Sequence, residues 1–154
     1  MKILIAIVLG GLTAGALDIL SAFATYVPRG ATEMGILQYI ASGALGPGSM
    51  DGGWRSAAIG LGAHFALTLA MAAVFALASL VLPVVARAAW ITGPIYGVIV
   101  YAAMTYLIVP HSAVENWKPA EGWALVGGLM AHIFYVGLPI ALIARAFIGA
   151  PAAK

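Results

Sequence analysis

Long apolar runs with almost no charge constrain this chain more than any other feature. They extend from about Ile3 to Val27, Ala57 to Leu82, Ala89 to Val109 and Gly122 to Ile148. A hydrocarbon layer about 30 Å thick takes about 20 consecutive apolar residues to cross as a helix, so each run is long enough to span with some tilt. Charged residues make up 8% of the 154, against about a quarter in a soluble domain. Too few polar groups remain to wet the surface of a globule. The expectation is an all-α membrane protein: one transmembrane domain over residues 1–154, a four-helix bundle running up-down-up-down.

Cysteine is absent, which removes disulfides, thiolate catalysis and zinc–thiolate sites. The net charge of +2 forms no basic patch, and a nucleic-acid partner is not expected. The partner the composition demands is the lipid bilayer.

Prolines punctuate the runs. Pro28, Pro83, Pro110 and Pro151 lie just beyond the four ends, where a residue without a backbone donor stops a helix. Pro94 falls near the start of the third span, a tolerated position. Pro139 lies inside the fourth, where it should kink the helix and free the carbonyl of Tyr135. The outer loop, residues 28–56, carries a helical pattern of Met34, Leu37, Ile40, Ala41 and Ala44 behind Thr32 as a cap, and predicts a short interfacial helix.

Orientation follows from the basic residues near the span ends. Lys2, Arg87, Arg145 and Lys154 share one side with no acid, whereas Arg29, Arg55 and Lys118 share the other with Glu33, Asp51, Glu115 and Glu121. The positive-inside rule makes the first side cytoplasmic, with both termini there, in a bacterial inner membrane. The first run also fits the template of a cleaved signal peptide, with Lys2 ahead of it and Ala14-Gly15-Ala16 within it. It continues well past Ala16, which favours a retained span.

Three ionisable side chains fall within the spans: Asp18, His64 and His132. At 1.5 Å per residue they lie roughly 12, 12 and 15 Å below the outer surface, in one layer. Each shares a helical face with small residues: Gly11, Gly15 and Ala22 beside Asp18, Ala57 and Gly60 beside His64, and Gly128 beside His132. Small residues mark the faces on which membrane helices pack. The three polar groups are therefore expected inside the bundle, where Asp18 can accept a hydrogen bond from a histidine.

Several roles fit that trio. Intramembrane polar groups lock helices together by hydrogen bonds worth about 1 kcal/mol each. A His–Asp couple also suits proton handling or ligand binding. A divalent metal site from Asp18, His64 and His132 is open as well, as is a bis-histidine haem b if the second and fourth helices are diagonal. A non-catalytic subunit of a larger membrane complex, or a homo-oligomer, is the main competing class. An enzyme acting on lipid is the least favoured, because the outer loop offers only scattered charges, and no catalytic residues are assigned. His111 is expected in solvent. Tyr96, Tyr101 and Tyr106 are read as packing and interface residues, and Gly11-x-x-x-Gly15 and Gly93-x-x-x-Gly97 as helix contacts. Gly60-Leu61-Gly62-Ala63-His64-Phe65 is echoed by Gly128-Leu129-Met130-Ala131-His132-Ile133, a sign of two related hairpins.

Gly15-Ala16-Leu17-Asp18-Ile19-Leu20, Ile40-Ala41-Ser42-Gly43 and Gly93-Pro94-Ile95-Tyr96-Gly97-Val98-Ile99-Val100-Tyr101 resemble an uncharacterised family of small bacterial four-helix multi-pass membrane proteins. The resemblance implies the topology over nearly the whole chain and supplies no catalytic residue. The third-helix exit in that group is similar to Leu-Pro-Leu-Ser, where this chain has Val109-Pro110-His111-Ser112.

Overall fold

The computed structural model describes residues 1–149, so Pro151 and Lys154 lie outside the described residues. Four helices are long and apolar enough to cross a membrane: Lys2–Arg29, Gly53–Val81, Ala89–His111 and Gly122–Ile148. Among the described residues the secondary structure is helical, without strands. The first span is α1 (Lys2–Tyr26), followed by α2 (Glu33–Leu45) in the first loop. The second is α3 (Gly53–Val81), four residues longer at its start than expected, because Gly53 takes a positive φ of 56° that turns the chain directly into the helix. Then α4 (Val84–Arg87) forms the connection between the second and third spans. The third span begins as α5 (Ala89–Ala103), and the fourth comprises α6 (Gly122–Ala131) and α7 (Leu138–Ile148).

Both later spans widen into π-helical turns, at Met104–Ile108 and His132–Gly137. Each turn stands just before a proline, at Pro110 and Pro139. A proline ring collides with the carbonyl four residues back, and passing to i→i−5 bonding relieves the collision. The register is explicit in Val109 N–H bonding the Met104 carbonyl and Leu138 N–H bonding that of Ile133. In that register Pro139 stands opposite Phe134, not Tyr135. Pro110 likewise stands opposite Thr105, whose carbonyl receives the indole Nε1–H of Trp117 at 3.0 Å. Trp117 thus replaces the donor that Pro110 lacks. Pro94 is the sixth residue of α5 and so falls in its second turn, not in the first turn as expected.

Helix α1 packs on α3 and on α7, and α5 packs on the fourth span. The main core joins Ala14, Ala72, Phe75, Val100, Val136 and Ile140. Glycines bring the hairpins together. A Cβ on Gly11 would stand 2.7 Å from Leu69 Cα, and one on Gly15 2.7 Å from the Phe65 ring and Thr68 Oγ1. In the second hairpin a Cβ on Gly97 would meet the His132 carbonyl and lie 2.6 Å from Ile133 Cα. The second glycine of each Gly-x-x-x-Gly pair thus lies against an echoed segment, Gly15 against the Phe65 side chain and Gly97 against the backbone of His132 and Ile133. The expected roles of both glycine pairs as helix contacts are met.

Thr32 caps α2 as expected, its Oγ1 accepting from Gly35 N–H at 3.0 Å. The helix does more than lie in an interface. It docks on α3, with the Leu37 carbonyl seated on Gly60, and Leu37 joins Ile19 and Ala57 in a second apolar cluster beside Phe23.

Candidate functional site

His64 is 8% exposed, and its Nε2 lies 2.9 Å from the Gly15 carbonyl oxygen on α1. A carbonyl only accepts, so Nε2 carries the proton and Nδ1 keeps the lone pair. Gly15 serves twice here: its missing side chain lets α3 approach, and its oxygen then lies within reach of the imidazole.

Asp18 is half-buried one turn outward along α1. Ala14 belongs to the core shared with Val136 and Ile140, whereas Gly15 packs on α3. Being four residues after one and three after the other, Asp18 stands over the seam between α3 and the fourth span. Its carboxylate accepts no hydrogen bond among the described residues, although Ser21 Oγ donates to its backbone carbonyl at 2.8 Å. The expected bond from a histidine to Asp18 is therefore not formed.

His132 opens the π turn of the fourth span. Its Nδ1 donates to the Gly128 carbonyl of its own helix at 2.9 Å, and its ring stands edge-on to Tyr101, centroids 5.4 Å apart. The Nε2 lone pair is left free, on a half-buried side chain.

The two imidazoles are thus turned to different helices, His64 to α1 and His132 to α5. Among the described residues no three His, Asp or Glu side chains form a group that could hold a metal ion. The three-ligand centre expected from the shared depth of Asp18, His64 and His132 is not assembled, because depth is set along each helix and facing is set by packing. Neither of two surface cavities, one beside α4 and one between Leu45 and Ile59, is lined by a histidine.

Above this layer α2 forms a roof. Gln38, 5% exposed, donates Nε2–H to the Gly53 carbonyl at 3.2 Å, Ser49 Oγ to the Gln38 carbonyl at 3.0 Å, and Ser56 Oγ to the Ser49 carbonyl at 2.6 Å. At its other end the Gly43 carbonyl accepts from Ala113 N–H at 3.0 Å, tying the roof to the loop of the second hairpin. Burial, and secondarily the neighbouring Tyr26, pushes the Tyr39 phenol above its ordinary pKa. Sequence reasoning missed Gln38, Ser49 and Ser56; their signal was three polar residues within and just after an apolar helical pattern. Helix α6 buries no residue and packs chiefly on the rest of its own span and on α5. His111 is exposed, as expected, its Nδ1 donating to the Leu107 carbonyl at 2.7 Å. Tyr96 and Tyr101 pack as expected, Tyr96 through a hydroxyl 2.7 Å from the Met71 carbonyl.

No protein-family model, no curated protein and no solved structure matches this chain.

Proposed function

We propose that the chain is a multi-pass protein of a bacterial inner membrane, termini cytoplasmic, that takes up a proton at Asp18 from the outer side beneath α2. One observation carries this reading. Asp18 is a carboxyl group inside a span, half-buried and without a partner. A charged Asp at the centre of a membrane helix costs about 2.5–3.5 kcal/mol on insertion scales. Binding a proton removes that cost. His64, bonded to Gly15 one turn below, supplies a lone pair at Nδ1, and His132 supplies one at Nε2, so the neighbouring helices carry two further hydrogen-bond acceptors.

The test is an infrared difference spectrum between acid and neutral pH on protein reconstituted in lipid. A carboxyl band in the parent that disappears in Asp18→Asn is the expected result. If the same spectrum is obtained from Asp18→Asn, the proton is taken up elsewhere and the proposal fails.

A second reading, a homo-oligomer or a subunit of a larger membrane complex, is favoured by an unused small-residue face. Ala58, Gly62, Ala66 and Ala70 recur every four residues along α3 and are all exposed, with nothing within 4 Å of a Cβ on Gly62. Such spacing lets a partner helix approach closely. Because the natural chain has no cysteine, Ala66→Cys reports on that face alone. A disulfide-linked dimer or heterodimer in native membranes is expected under this reading, and a solely monomeric product would remove it.

A further inference from the structure

Between α3 and α5, at the basic end of the molecule, the two helices stand apart and leave a lateral groove of 190 Å³. Val74, Phe75, Ala78, Val85, Ile95 and Ile99 line it, with Thr92 and Tyr96. Both hydroxyls are already committed: Thr92 donates to the Val85 carbonyl at 2.6 Å and Tyr96 to that of Met71 at 2.7 Å. The groove therefore offers an occupant no polar group, and its volume is below the about 300–1,000 Å³ of pockets for drug-sized ligands. From Thr92 to Ile99 it follows α5 for roughly 10 Å, a fitting length for part of an acyl chain. Open on the flank of a membrane-crossing bundle, it faces lipid.

Charge names the rest of the occupant. Arg87, at the end of α4 two residues after the groove-lining Val85, stands outside the groove itself; it is exposed, and its guanidinium has no hydrogen-bond partner among the described residues. Lys2 and Arg145 share this end of the molecule, and no acid accompanies them. We propose that the groove and Arg87 together bind one anionic phospholipid, its acyl chain between α3 and α5 and its phosphate beside Arg87. A planar guanidinium suits a phosphate particularly well, through paired N–H donors.

Native mass spectrometry of the delipidated protein in mild detergent, titrated with phosphatidylglycerol and phosphatidylcholine of the same chains, tests this. The parent should retain a single preferred phosphatidylglycerol adduct. Arg87→Gln should weaken it about fivefold, roughly the contribution of one basic residue beside an anionic surface. Ala78→Phe, which fills the groove and leaves the charge, should weaken both lipids, while Arg145→Gln should leave the adduct in place. Equal binding of the two lipids by the parent would overturn the proposal, as would a preference that survives Arg87→Gln, lipid binding undiminished in Ala78→Phe, or a preference that follows Arg145. Circular dichroism of each variant establishes that its helices are intact, and should Ala78→Phe fail to fold, Ile95→Phe fills the same groove from α5.

Discussion

Gly137→Ala should separate the third and fourth spans and lower the stability of the bundle by about 2–3 kcal/mol, the upper part of the range for overpacking a tight core. The added Cβ would fall on the Gly93 carbonyl and on the backbone of Gly97. A flexible side chain can rotate away from such an intruder. Backbone cannot, so the helices themselves must move, taking with them the contact of Gly97 with His132 and the core around Val136 and Ile140. Unfolding in mixed micelles, followed by helicity as the denaturing detergent fraction rises, reads the loss. Gly127→Ala is the matching control, because it lies on the same span with nothing within 4 Å of its Cβ. It should stay within about 0.5 kcal/mol of the parent, as surface substitutions generally do. Equal stability of Gly137→Ala and the parent would mean that the spans do not cross this closely.

A second substitution acts on the roof and spares the bundle. In Gly60→Ala the new Cβ would overlap the carbonyl of Leu37, the point at which α2 rests on α3. The roof is held there by the small cluster of Ile19, Leu37 and Ala57 and by the hydrogen bonds of Gln38, Ser49 and Ser56. It has less apolar burial to lose than the main core and should lift before the spans separate. With Leu37→Cys as the only thiol, labelling by a membrane-impermeant maleimide should quicken about tenfold on adding Gly60→Ala, equivalent to 1.4 kcal/mol in the opening equilibrium. Gly62→Ala, two residues on and facing open space, should leave the rate unchanged. An unaltered rate in Gly60→Ala would show that α2 does not rest on this glycine.

Much of this architecture was legible in the residues. The spans, the cap at Thr32 and the helix stops follow from local patterns of apolar residues, hydroxyls and prolines. The glycine pairs could be read as contacts because little else explains Gly-x-x-x-Gly in a lipid-facing helix. The π turns were half-legible. Pro139 announced a disturbance, but whether the chain kinks or widens depends on what packs beside it, and a close α5 backbone at Gly93 and Gly97 accompanies the widening. The partner of Gln38 was not legible, since nothing in its immediate neighbours says that the Gly53 carbonyl lies across from it.

By itself, the sequence determined the number of spans, their length and their alternation. In hydrocarbon every backbone polar group must be satisfied within its own helix, so a run of about 20 apolar residues has few structures open to it. Counting along each helix also sets similar expected depths for Asp18, His64 and His132, because depth is a matter of position along an axis. Tertiary structure alone decided what each of them meets. His64 bonds the Gly15 carbonyl and His132 that of Gly128, leaving Asp18 without either. A hydrogen bond forms over about 3 Å, and whether a side chain comes within that distance of a partner depends on the crossing and rotation of whole helices. Those are set by backbone contacts at glycines far apart in the chain.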